Sequence, residues 1–111
     1  MSLTYYVHLH TGEKLKNKKR KVIDQLAQDR LKHDIYLVAL VSGKLEAFSS
    51  KMRKQAYFKE RSYFVVGLAY DYEESKEVIC DIVAKVYMQD KEISIAEFIM
   101  SRQQQYESEV M

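Results

Sequence analysis

His8 and His10 stand two residues apart, in a stretch where Leu3, Tyr5, Val7 and Leu9 alternate with more polar positions. On a β-strand that spacing projects both imidazoles to one face, as a metal site sometimes requires. The plainer reading is stronger. Two ligands are half a site, His33 falls at the end of an expected helix, and no carboxylate or thiol is spaced to join them. No metal and no other cofactor is expected. Glu73, Glu74, Glu77 and Asp81 could hold a divalent cation, but acids in the first turn of a helix are already explained by the macrodipole.

Nucleophiles fare no better. Cys80, the single cysteine, lies about 110° from the centre of its helix's apolar stripe, which places it at the border of the core as a small hydrophobe. The chain contains no G-x-x-x-x-G-K-[ST], H-E-x-x-H, C-x-x-C or serine elbow. Its glycines, at positions 12, 43 and 67, are too scattered to cradle a phosphate. No catalytic residue is expected, and the chain reads as a non-enzyme.

The basic segments carry more information. Lys14, Lys16, Lys18, Lys19, Arg20 and Lys21 put six cations into eight residues. At the start of a helix each opposes the macrodipole by about a few tenths of a kcal/mol, a local cost that asks for a reason. Lys51, Arg53, Lys54, Lys59 and Arg61 form a second cluster around Tyr57 and Phe58, a mixture that can contact phosphates while stacking on bases. The candidate nucleic-acid contacts are therefore Lys16, Lys18, Lys19, Arg20, Lys21, Lys51, Arg53, Lys54 and Tyr57. Against this stands the solvated-face reading, in which Tyr57 and Phe58 anchor the connection while the cations snorkel. Residues 10–14 coincide with the linker between tandem two-Cys, two-His zinc fingers but lack the upstream cysteine pair, and residues 18–22 match a nuclear import signal only at a length common by chance.

The elements that must position these residues follow from periodicity. Residues 4–10 read as a strand. Val22, Ile23, Leu26, Ala27 and Leu31 keep helical spacing, so residues 22–31 read as an amphipathic helix. Residues 35–41 form an apolar run followed by Ser42-Gly43 and a shorter alternating strand, which is a hairpin signal. Residues 63–69 are apolar on both pleat faces, as 35–41 are, and both are expected centrally in the sheet, with Gly67 marking a close approach or a bulge. Asp71 with Glu74 and Ser94 with Glu97 resemble capping boxes. The first opens a core helix whose stripe of Val78, Ile79, Ile82, Val83, Val86 and Tyr87 is about 180° wide. The second opens a helix that buries Ile95, Phe98 and Ile99 and frays after Arg102, leaving residues 103–111 as a loose tail.

These elements predict one α+β domain over residues 1–111, in the order β-α-β-β-β-α-α: a mainly antiparallel sheet of three to four strands covered on one face by two to three helices. A mixed sheet remains an alternative. With 47% hydrophobic and 31% charged residues a packed core is expected and disorder is not. The chain lacks any apolar run of membrane length, and its lone thiol suits the reduced cytoplasm. Residues 65–69 entering an acidic-capped helix resemble stretches of small bacterial proteins over about thirty residues, a likeness without a diagnostic motif that assigns no roles.

Charge divides the chain. Residues 1–61 hold fourteen Lys/Arg and six Asp/Glu, residues 62–111 four and ten, giving +8 and −6 and the overall +2. Such a molecule can close its own dipole, meet a second copy head to tail, or offer its basic half to an anion. The expected function is a protein-interaction or self-associating module, with Ile95, Phe98 and Ile99 as the desolvated contact of a homo-oligomer. The alternative is a nucleic-acid binder using segments 14–21 and 51–61. No membrane partner is expected.

Overall fold

The structure, a computed structural model, describes residues 2–55, 60–89 and 92–110. It is an α+β fold in which a four-stranded sheet, mostly antiparallel, carries three helices. Strand β1 (Ser2–Thr11) leads through a short 3-10 turn (Glu13–Leu15) to α1 (Lys19–Ala27). Then come β2 (Tyr36–Val41), β3 (Lys44–Ser49), a 3-10 segment (Ser50–Lys54) and β4 (Ser62–Ala69). Helices α2 (Tyr72–Gln89) and α3 (Ile95–Val110) complete the order.

The sheet runs β1-β4-β2-β3, with β2 antiparallel to both neighbours and β1 parallel to β4. The two strands that are apolar on both pleat faces occupy its centre, and Leu37, Val38, Val65 and Val66 are fully buried. A sheet buried on two sides needs cover on two sides. The expectation of helices on one face is corrected accordingly. Val22 and Leu26 of α1 pack with Leu9, Leu37 and Leu68 on one face, while Val78 and Ile82 of α2 and Ile99 of α3 pack with Tyr6, Val38 and Val66 on the other.

Local signals place the turns and helix ends. Ser42 and Gly43 both have positive φ, 51° and 81°, as a tight two-residue hairpin turn demands. Asp71 Oδ1 accepts the Glu74 N–H at 2.8 Å and Ser94 Oγ accepts the Glu97 N–H at 3.1 Å, so both caps form. Helix α1 ends at Ala27, earlier than its periodicity suggests. Asp29 turns left-handed at φ 54°, and the Arg30 and Asp29 N–H groups donate to the carbonyls of Gln25 and Leu26, a closed C-terminal cap. Leu31 packs on the core from beyond the helix.

Two outer features differ from expectation. The buried row of α2 is Val78, Ile82 and Val86, and the row one residue on is wetter, with Val83 38% exposed. Cys80 is exposed rather than at the core border. A helix lying on a flat sheet buries one row of side chains, and the second needs a flanking helix to cover it. Helix α3 does not stop after Arg102 but continues through Val110, with residues 104–109 all exposed.

Candidate binding surfaces

Strand β1 is an edge strand with an irregular middle. Its ladder to β4 runs through Tyr5↔Val65 and resumes at His10↔Gly67, which frees residues 6–9 from regular pairing. A Cβ on Gly67 would stand 2.7 Å from Val78 Cγ1, so glycine allows α2 to press onto the sheet where the ladder resumes. On the outer side of the break, the Val7 N–H donates to Gln103 Oε1 at 2.8 Å, tying α3 to the strand.

Between β1, α2 and α3 lies a groove of about 890 Å³. Tyr6, His8 and His10 line it along with Val7, Leu9 and Thr11, in the stretch where the ladder to β4 is irregular. Tyr6 meets His8 edge-on at 5.5 Å between ring centroids, and burial pushes the Tyr6 hydroxyl's pKa up. Helix α2 contributes Asp81 and Lys85, spaced i and i+4 on one face, and α3 contributes Arg102, whose guanidinium lies 4.6 Å over the Phe98 ring. Lys16 and Lys19 reach in from the segment that follows β1. Burial, and then the nearby Lys85, hold the His10 imidazole at a pKa of about 4; Asp81 opposes them while Lys19 and His8 add to them.

The first basic segment is divided by the fold. Lys16 and Lys19 face this groove, whereas Lys18 and Lys21 line a hollow of about 110 Å³ beside Leu15, Val22 and Tyr70, where His33 also lies. Arg20 is exposed. None of Lys16, Lys18, Lys19, Arg20 and Lys21 forms an ion pair among the described residues. The start of the segment is anchored by Glu74, buried, whose carboxylate accepts the Tyr70 N–H at 2.9 Å and the Lys14 N–H at 3.1 Å.

The second cluster is different. Arg53 Nε donates to Asp29 Oδ1 at 2.8 Å, and Nη1 to Asp34 Oδ1 at 3.2 Å and to the Ser50 carbonyl at 2.7 Å. Ser50, fully buried, donates to Asp34 at 2.8 Å and accepts the Ile35 N–H at 3.0 Å. The Ser50 hydroxyl first, and Arg53 with it, hold the Asp34 carboxyl below its usual range. Arg53 is thus engaged inside the chain, while Lys51 and Lys54 are exposed. Tyr57, with Phe58 and Lys59, lies outside the described residues.

Of the expected self-association residues, Ile99 is 1% exposed and sits in the core, and Ile95 and Phe98 pack against the same cluster, half-buried. Their apolar surface is used largely within the chain. Sequence reasoning assigns no site role to the groove residues Lys85 and Arg102, and weighs Asp81 only as one of four acids that could hold a divalent cation. The i,i+4 spacing of Asp81 and Lys85 was visible in sequence, but which strand edge that helix face meets is a matter of topology. No group of three His, Cys, Asp or Glu among the described residues could hold a metal, and no helix among them is long and apolar enough to cross a membrane. Compared with known proteins, the chain shows significant similarity to no family model, curated protein or solved structure.

Proposed function

We propose that this chain is a non-catalytic interaction module that associates with copies of itself, working in the bacterial cytoplasm. The observation that carries this reading is the far end of α3. Residues 104–109 are helical yet all exposed, with Tyr106 and the acids Glu107 and Glu109 along two turns that touch no core. A helical end this short is marginal in water without a surface to lie on. The basic residues 18–21 of a second copy, without an ion pair among the described residues of their own chain, have the complementary charge. Among the described residues Lys14–Asp71 is an ion pair that joins the basic half to the acidic half, and complementary charge on a second copy can orient the approach of the two molecules. The whole chain exposes 7530 Å², where a compact chain of its mass exposes about 6,400 Å².

Light scattering over a dilution series tests the proposal. The full chain is expected to gain mass with concentration at low salt, and a chain ending at Gln105 to stay monomeric with an unchanged melting temperature. A full chain that is monomeric throughout, or assembly that survives the truncation, overturns it.

A second reading, nucleic-acid binding, is favoured by the five cations of the first segment that have no ion pair among the described residues and weakened by the engagement of Arg53. Binding to a random oligonucleotide should then fall steeply with salt, and neutralising Lys18, Lys19 and Arg20 together should flatten the slope. Absence of binding at ~50 mM salt removes this reading.

A further inference from the structure

We propose that the groove beside β1 binds a small organic phosphate monoester, with its dianionic head among Lys19, Lys85 and His10 and its apolar body on Ile82, Val86 and Phe98. The groove shares only Lys19 with the self-association reading above, and the two are tested apart: the chain ending at Gln105 probes assembly, and Lys85→Ala probes the groove.

Charge is the first argument. The groove holds four permanent cations, Lys16, Lys19, Lys85 and Arg102, against the two acids Glu13 and Asp81, an excess of two positive charges. None of the four cations is in an ion pair among the described residues. Like charges gathered in a hollow repel one another, and a ligand carrying two negative charges relieves that repulsion in one step. The excess matches one dianion rather than a run of phosphates.

The second argument is His10. Its ring is half-buried between α2, with Lys85 and Asp81, and the basic segment, with Lys19, while His8 stands two residues away on its own strand. Burial is the main cause of the low His10 pKa; among the charged neighbours Lys85, Lys19 and His8 act in the same direction and Asp81 acts against them. A phosphate placed there acts in the direction of Asp81 and gains a donor from the imidazolium it stabilises. The third argument is shape. The volume of about 890 Å³ falls within the range of small-molecule sites, and the apolar floor from Ile82, Val86 and Phe98 suits an organic body. The Val7–Gln103 hydrogen bond fixes the α3 wall against the strand, so the site is formed before a ligand arrives.

The probe is phenyl phosphate, titrated into the full chain and followed through the His10 ring signals by NMR, with inorganic phosphate and phenol as separate arms. Phenyl phosphate should move those signals and raise the His10 titration midpoint from about 4. It should bind about tenfold more tightly than either inorganic phosphate or phenol, each of which satisfies only one half of the site. Lys19→Ala and Lys85→Ala, on different elements, the first half-buried and the second exposed, should each weaken binding about tenfold with melting little changed, whereas Lys54→Ala should not weaken it. A His10 ring unmoved by about 10 mM phenyl phosphate overturns the proposal, as does binding indifferent to both substitutions. Equal affinity for inorganic phosphate overturns the ester. Displacement by an oligonucleotide whose affinity grows with length replaces the small ligand with a polymer.

Discussion

The segments at 16–21 and 51–54 are both short runs of cations, and the fold treats them in opposite ways. Arg53 is 14% exposed in its side chain and joins Asp29, Asp34 and the Ser50 carbonyl, tying the end of α1, the start of β2 and the 3-10 segment into one network. The five cations from Lys16 to Lys21 have no carboxylate within ion-pair distance among the described residues; Lys16 and Lys19 line one hollow, Lys18 and Lys21 another, and Arg20 is exposed outside both. The difference teaches that counting positive charge along a chain does not measure what is available to a partner. Availability depends on where carboxylates arrive from elsewhere in the sequence, and among the described residues Asp29 and Asp34 reach the second run while Asp71 pairs with Lys14 and none pairs with Lys16 to Lys21.

The sharpest way to disturb this contrast is at the anchor of the first segment. A Cβ on Gly12 would stand 2.1 Å from Glu74 Oε1, and that carboxylate is held by the Lys14 and Tyr70 amides. Gly12→Ala must expel it, leaving two amide donors and a buried charge poorly matched, at a cost of about 3 kcal/mol. Urea melts check this. Adding Glu74→Ala to Gly12→Ala should cost clearly less than the sum of the two single changes, since the clash is then gone. Simple additivity would show that Glu74 does not hold the segment.

The second segment predicts the next largest effect. Arg53→Met keeps the length of the side chain and removes the fork, leaving Asp29 and Asp34 uncompensated. Because both acids are partly exposed, the cost is about 2 kcal/mol, less than for a fully buried pair. Replacing Lys18 and Arg20 by Gln should change stability by about 0.5 kcal/mol or less, since neither is paired. Equal losses from the two experiments would break the contrast between the segments.

The smallest effect is acid sensitivity. Ser50 and Arg53 lower the Asp34 pKa, and the Arg53 hydrogen bond lowers that of Asp29, both relative to 3.8. A depressed carboxyl stabilises the fold above its unfolded-state value and loses that contribution as pH falls through and below it. The urea midpoint of the unaltered chain should therefore drop further than that of Arg53→Met on going from about pH 6 to about pH 3. Parallel losses would mean that the network does not couple to stability.

Much of the fold was legible in the sequence wherever the deciding interaction spans a few residues. Asp71 and Ser94 cap helices because their side chains reach amides three positions on. The hairpin at Ser42 and Gly43 needs only two backbones that accept positive φ. Residues 35–41 and 63–69 lie centrally because apolar side chains on both pleat faces cannot face water on either. The candidate sites were legible only as residue types: Lys16, Lys18, Arg20, Lys21, Lys51 and Lys54 are exposed, but no spacing shows which hollow a cation of the first segment faces.

Tertiary structure alone decided the rest. Lys14 meets Glu74 across 60 residues and Val7 meets Gln103 across 96, separations at which no sequence period speaks. The parallel pairing of β1 with β4 put helices on both faces of the sheet, brought Ile99 into the core and set His10 opposite Lys85. Local chemistry determines which elements form, because their hydrogen bonds close within a turn. Which elements touch depends on the burial of whole faces at once, and the groove exists only where three of them meet.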